Sequence, residues 1–231
     1  GGVTDPAAAV ELAFQMERDG ADIIDIGGES TRPGAEPVPE GEELARVLPV
    51  LEALRGRIRA AVSIDTYKAS VAAAAVSAGA SIVNDISGLR YDPSLGDAVA
   101  HSGAGLVLMH TRGRSHQMYR EATYDDVIAE VSAELREAVD RAGAAGVSPD
   151  RLLLDPGIGF AKRAADSRAV IARLPAFAAL GRPLLVGPSR KSFLADGPAP
   201  LPPAERDWGT AAAVTAAVIG GAHIVRVHHV A

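Results

Sequence analysis

A parallel α/β barrel of the (β/α)8 type is the fold this sequence predicts, and three observations predict it. Seven short apolar, β-branched runs alternate with Ala-, Leu- and Glu-rich stretches that have helical spacing. No hairpin turn signal links one apolar run to the next, so the strands pair in parallel through helical crossovers. Each run also ends in polar residues, which a barrel gathers at one mouth. An open doubly wound sheet would satisfy the same alternation. No glycine-rich dinucleotide fingerprint follows any strand, however, and that favours the barrel. The 231 residues fit a single domain spanning 1–231.

The elements follow in order. Helical spacing covers 6–19, with Pro6 placed as a first-turn proline behind the N-cap Asp5. The first strand is 21–28 (ADIIDIGG), followed by a helix over 42–55 and a strand over 61–65 (AVSID). A helix over 68–77 leads to the strand 81–87 (SIVNDIS), and a short helix over 94–101 leads to the strand 105–111 (GLVLMHT). The helix 124–142 precedes the strand 151–157 (RLLLDPG), the helix 166–180 precedes 183–187 (PLLVG), and the helix 206–219 precedes 223–230 (HIVRVHHV). Gly20, Gly56, Gly79 and Gly181 stand where left-handed C-cap residues belong. The strands are nearly continuous in apolar character, as strands covered on both faces are. The chain opens with a helix and closes with a strand, so an eight-fold barrel lacks its first strand and last helix here. An unpaired parallel edge exposes backbone donors and acceptors, and the expressed protein is expected to be longer at both ends.

Composition narrows the function. With 23 Lys+Arg against 29 Asp+Glu, the net charge of −6 gives no support for nucleic-acid binding. No apolar stretch reaches the ~20 residues of a bilayer span, and no basic-then-apolar leader opens the chain. A cytoplasmic protein with no membrane partner is expected. The absence of Cys excludes a disulfide scaffold, a thiolate zinc site and a cysteine nucleophile. His101, His116 and His223 lack zinc-site spacing, 112–120 reads as a solvated basic loop or, second, as a loop near the substrate mouth, 198–203 as a proline-rich spacer, and Trp208 as packing.

The chemistry lies where the strands end. Gly28-Glu29-Ser30-Thr31-Arg32-Pro33, Asp65, Asn84-Asp85, His110, Asp155, Ser189-Arg190-Lys191-Ser192, Arg226 and His228 all follow apolar runs. Acids and amides at the ends of buried strands need partners or a ligand. Asp65, Asn84, Asp85 and Asp155 suit a flat heterocycle rich in N–H donors, because paired carboxylate hydrogen bonds reject a ring that lacks them. Arg32, Arg190, Lys191, Arg226 and His228 suit phosphate oxygens. A ligand with a ring at one end and an anion at the other is implied. His110 reads equally as a satisfied core histidine or as part of the ring site.

The ordered segments DIIDIGGESTRPGA, VSIDT, NDISG, LVLMHTRG, LLLDPGIGF, GPSRKSFL and IVRVH resemble the motif set of the dihydropteroate synthase family from Asp22 to His228. That family consists of (β/α)8 barrels that join 6-hydroxymethyl-7,8-dihydropterin diphosphate to 4-aminobenzoate with Mg2+ present. The resemblance implies that Asp65, Asn84, Asp155 and Lys191 bind the pterin, with Ile86 and Met109 as its apolar wall. It places Thr31, Asn84, Arg226 and His228 at the diphosphate. It places Ser30, Thr31, Arg32, Pro33, Phe160, Lys191 and Ser192 at the 4-aminobenzoate. Lys191, Arg226 and His228 would carry the catalysis. The family's metal-linked asparagine falls ahead of Gly1, so no metal ligand is assigned in this sequence. A homodimer through the late helices and sensitivity to sulfonamides are also implied. His229 stands where the family usually has Asp, and Thr111 where it usually has Met. Two alternatives share the ring-binding pattern: the pterin-binding barrel of folate-dependent corrinoid methyltransferases and a catalytically inactive pterin-binding paralogue.

Overall fold

The computed structural model describes residues 3, 5–32, 34–115, 117–120, 122–195 and 201–231. Pro33 and His116 lie outside the described residues, as do positions 198–200 of the proline-rich spacer. Among the described residues seven strands alternate with seven α-helices. They are α1 (Pro6–Arg18), β1 (Ile23–Gly27), α2 (Glu40–Leu54), β2 (Ala61–Asp65), α3 (Ala69–Ala78), β3 (Ile82–Asp85) and α4 (Leu95–Ser102). These are followed by β4 (Gly105–Met109), α5 (Val127–Ala144), β5 (Leu152–Asp155), α6 (Ala164–Ala172), β6 (Leu185–Val186), α7 (Asp207–Ile219) and β7 (Ile224–Val225). Asp5 caps α1 as expected, its carboxylate accepting the Ala8 N–H at 2.9 Å.

Neighbours in sequence are neighbours in space. β1 to β5 pair in chain order, all parallel, and β6 pairs in parallel with β7. A bridge from Leu154 to Leu184 carries the sheet from β5 towards β6. Among the described residues no strand lies between β7 and β1. The Arg226 guanidinium, just past β7, reaches the Asp25 carboxylate of β1 at 2.6 Å.

Alternation along the strands separates two environments. Ile64, Val83, Leu106, Leu108 and Leu154 are completely buried against helix residues such as Val71, Leu135 and Val170, and this layer is the core. Neighbouring positions carry the polar groups: Asp25 pairs in register with Ser63, Asp65 with Asn84, and Met109 with Asp155. The parallel register therefore brings the strand-end acids to one level.

Three expectations change. The helix over 166–180 is broken: α6 stops at Ala172 and Leu174–Leu180 winds as a 3-10 helix. Pro175 has no N–H to donate and disfavours helical backbone before it. The strand over 223–230 shrinks to Ile224–Val225, because only Leu185 and Val186 pair with it among the described residues. Trp208, read as packing, is 89% exposed.

Candidate active site

Asp65, Asn84 and Asp155 end β2, β3 and β5 and are all buried. Asp65 accepts a hydrogen bond from Arg226 Nη2 at 3.2 Å, yet its other oxygen is buried with no partner among the described residues. Burial, joined by repulsion from Asp25, pushes the Asp65 carboxyl up to about 7 against the pull of Arg226. Burial also raises Asp155, against the pull of Lys191. Asp155 closes its own turn by accepting the Gly157 N–H at 2.7 Å. A buried carboxylate oxygen without a donor is costly, and a ligand N–H removes that cost.

Lys191 donates to the Ile158 carbonyl, and its Nζ lies 4.4 Å from the centre of the Phe160 ring. Burial pulls its ammonium down to about 8, opposed by Asp155 and helped by Arg226. Ile86, Met109 and Tyr67 form one apolar cluster with Tyr91 and Phe160 packed on it, so both expected wall residues meet the expected ring residue.

The cationic side is adjacent. His228 Nδ1 lies 2.9 Å from Ser189 Oγ. Burial, followed by the positive charges of Arg190, Arg226 and Arg32, lowers its pKa. The same charges that disfavour an imidazolium favour an anion there. Arg190 itself is held bidentately by Asp207 at 2.7 and 2.8 Å.

The loop after β1 that carries Ser30, Thr31 and Arg32 is pinned at both ends. Glu29 accepts the Val38 N–H at 2.9 Å, the Tyr67 hydroxyl at 3.0 Å and the Lys68 ammonium at 2.6 Å. Lys68 also donates to the Val38 carbonyl at 2.8 Å and pairs with the buried Glu43. The basic loop read as solvated surface touches this one: Gly34 N–H donates to the Ser115 carbonyl at 3.0 Å, and Ser115 Oγ to the Thr31 carbonyl at 3.4 Å. Arg114 lies over the Tyr91 ring at 4.4 Å. Ser192 is exposed on the short 3-10 helix Ser192–Ala195.

Asp85 is a correction. The sequence groups it with the ring-binding acids, but Oδ1 accepts from the Ser87 N–H and Oγ at 2.8 and 2.7 Å, and Oδ2 from the Leu89 N–H at 2.6 Å. Adjacent strand residues face opposite sides, so Asn84 and Asp85 cannot share one site. His110 is the satisfied core histidine, bonded on both ring nitrogens. His223 is structural, its Nδ1 accepting the Leu184 N–H at 3.2 Å. His229 faces solvent at 64% side-chain exposure, 3.9 Å from Asp207.

Sequence reasoning missed Asp25 and Lys162. Asp25 accepts from Arg226 Nε at 2.6 Å and from Asn84 Nδ2 at 3.5 Å, and its free oxygen is buried without a partner among the described residues. The signal was present: an acid in mid-strand within IIDIG, two residues from the strand end, must share the face of the final residue.

Fold and site together define a parallel α/β barrel with acceptors for a heterocycle beside a seat for an anion. A profile described as "Pterin binding enzyme" matches residues 1–228. Dihydropteroate synthase of Synechocystis sp. is 47% identical over 222 residues, which is 96% of this chain and 77% of the relative. The solved structure of Yersinia pestis dihydropteroate synthase with a sulfonamide drug is 41% identical at a TM-score of 0.95, covering 100% of this chain and 83% of that one. That of Xanthomonas albilineans dihydropteroate synthase with 7,8-dihydropteroate is 40% identical at 0.88, covering 100% and 82%. The chain belongs to the dihydropteroate synthase family of pterin binding enzymes, and its fold is that family's (β/α)8-type barrel.

Proposed function

We propose that this chain condenses 6-hydroxymethyl-7,8-dihydropterin diphosphate with 4-aminobenzoate, giving 7,8-dihydropteroate and diphosphate. One observation carries the reading. The unpartnered buried oxygen of Asp65 sits with Asn84 and Asp155 at one mouth, beside the positive charges of Arg226, Arg190 and Arg32 that surround His228. A methyl transfer has no diphosphate to hold, so the cationic side favours the synthase over the methyltransferase alternative.

In this reading Asp65, Asn84 and Asp155 grip the pterin ring edge, with Ile86 and Met109 along its face. The bond from the pterin methylene to the diphosphate oxygen breaks, and its electron pair leaves on diphosphate. Arg226, His228 and Thr31 receive that charge. The aromatic amine bonds to the methylene and loses a proton, positioned by Lys191, Phe160, Ser192 and the loop holding Ser30, Thr31 and Arg32. The neighbouring acids Asp65 and Asp155 favour positive charge on the ring as the bond breaks.

Mg2+ fits as an ion carried largely by substrate phosphates: no group of three acid or histidine ligands occurs among the described residues, and such ions often use one or two carboxylates. Asp25 offers a buried unpartnered oxygen for it. When bound, Mg2+ would supply charge stabilisation on the leaving diphosphate. A homodimer fits the outer face of α7, where Trp208 and Ile219 are 89% and 82% exposed. We place the protein in the cytoplasm on family resemblance; no described helix is long and apolar enough to cross a membrane.

The deciding experiment measures diphosphate release from pterin diphosphate with and without 4-aminobenzoate, and with a sulfonamide as competitor. Release that requires both substrates supports the synthase. Pterin binding without turnover supports the inactive paralogue, and no pterin binding removes both.

A further inference from the structure

Lys162 lies under the mouth with 2% of its surface exposed, and no part of the mechanism above uses it. Its Nζ lies 2.8 Å from His110 Nδ1, 3.2 Å from the Gly157 carbonyl and 3.2 Å from the Phe160 carbonyl. Burial pulls Lys162 down to about 7, opposed by the charge of Asp155; in its ammonium form it has three N–H donors, and here each has one acceptor. Burial, helped by the charge of Lys162, lowers His110 to about 4, so the ring is neutral. Nδ1 then accepts from Lys162, and Nε2–H donates to Glu134 at 3.1 Å. Glu134 is fixed in turn by Arg112 at 2.9 Å and Arg90 at 3.2 Å. The lysine thus has an anchored seat.

What it grips is the turn after β5. Gly157 has φ +68°, and a Cβ there would lie 1.9 Å from the His110 carbonyl oxygen. Phe160 N–H donates to the Gly157 carbonyl at 3.0 Å. Between the two carbonyls that Lys162 holds lies Ile158, whose own carbonyl accepts from Lys191. One ammonium therefore sets the path of the segment from Asp155 to Phe160, and through Ile158 the place of Lys191.

We propose that Lys162, seated on His110 and Glu134, is a positioning residue for the condensation: it holds the 155–160 turn so that Asp155, Phe160 and Lys191 meet the substrates. The ammonium also favours an ionised Asp155, on which it acts as a positive charge. The inference rests on the assignment of those three residues to the substrate site.

The test compares Lys162→Met, His110→Asn and His110→Leu with the wild type, by steady-state kinetics in both substrates, pterin diphosphate affinity and thermal unfolding. Met keeps the volume and deletes the three donors, leaving two carbonyls and His110 Nδ1 without them, so thermal unfolding separates lost stability from lost positioning. Asn presents an acceptor close to the Nδ1 position; Leu presents none. Expected are a drop of at least ten-fold in kcat/KM for Lys162→Met and His110→Leu, with the pterin KM raised and the folded fraction retained. His110→Asn should keep at least five-fold more kcat/KM than His110→Leu. Folded Lys162→Met with kcat/KM within two-fold of wild type would overturn the proposal. So would His110→Asn falling as far as His110→Leu, or losses that track the unfolded fraction alone. Asp155→Ala with unchanged pterin affinity would instead reject the site assignment, whatever Lys162 does.

Discussion

Replacing Asp65 with Asn should make the unliganded protein more stable and the enzyme worse. Burial and the nearby Asp25 raise the Asp65 carboxyl from its ordinary 3.8 to about 7. Between those values the native state holds a proton that the unfolded chain has released, so stability falls as pH rises through this window. The raised carboxyl therefore costs the native state on the order of 4 kcal/mol at pH 8, where it is ionised, and on the order of 1–2 kcal/mol at pH 5, where it must hold a proton that the unfolded chain has lost. Asn matches the protonated acid in shape and leaves Arg226 paired with Asp25 at 2.6 Å. Asp65→Asn should therefore gain most at pH 8, on the order of 10 °C in melting temperature for a chain of this size. Urea titrations at both pH values, followed by circular dichroism, measure the difference; Trp208, 89% exposed, is a poor reporter. Pterin affinity should fall at least ten-fold. The reasoning fails if Asp65→Asn is less stable than wild type at pH 8, or if its advantage is the same at both pH values.

Three further outcomes are expected. Lys191→Ala should lower turnover at least 30-fold, about 2 kcal/mol in the barrier, with little change in melting temperature; kinetics and calorimetry on one preparation separate the two. Lys68→Met should destabilise by about 3–5 kcal/mol in urea unfolding, because Glu43 and Glu29 lose the ammonium that pairs them. Gly157→Ala should abolish measurable pterin binding by titration calorimetry, since its methyl would sit 1.9 Å from the His110 carbonyl oxygen at a left-handed φ.

Read alone, the sequence determined the barrel's alternation, all seven strands and the polar residues that close them. Apolar runs and their polar ends are local, and strand periodicity follows from the backbone. The resemblance carried by the strand-end motifs added the substrates. Tertiary structure decided the rest, because partnership across strands depends on register and on distant side chains. Asn84 and Asp85 look equivalent in sequence, yet one faces the mouth and the other caps a turn. Asp25 reads as one more strand residue until Arg226, 201 positions away, is brought against it. Lys162 stands at no strand end, and nothing in the sequence singles it out. Only the packed turn and His110 show an ammonium with three acceptors, buried where water cannot replace them.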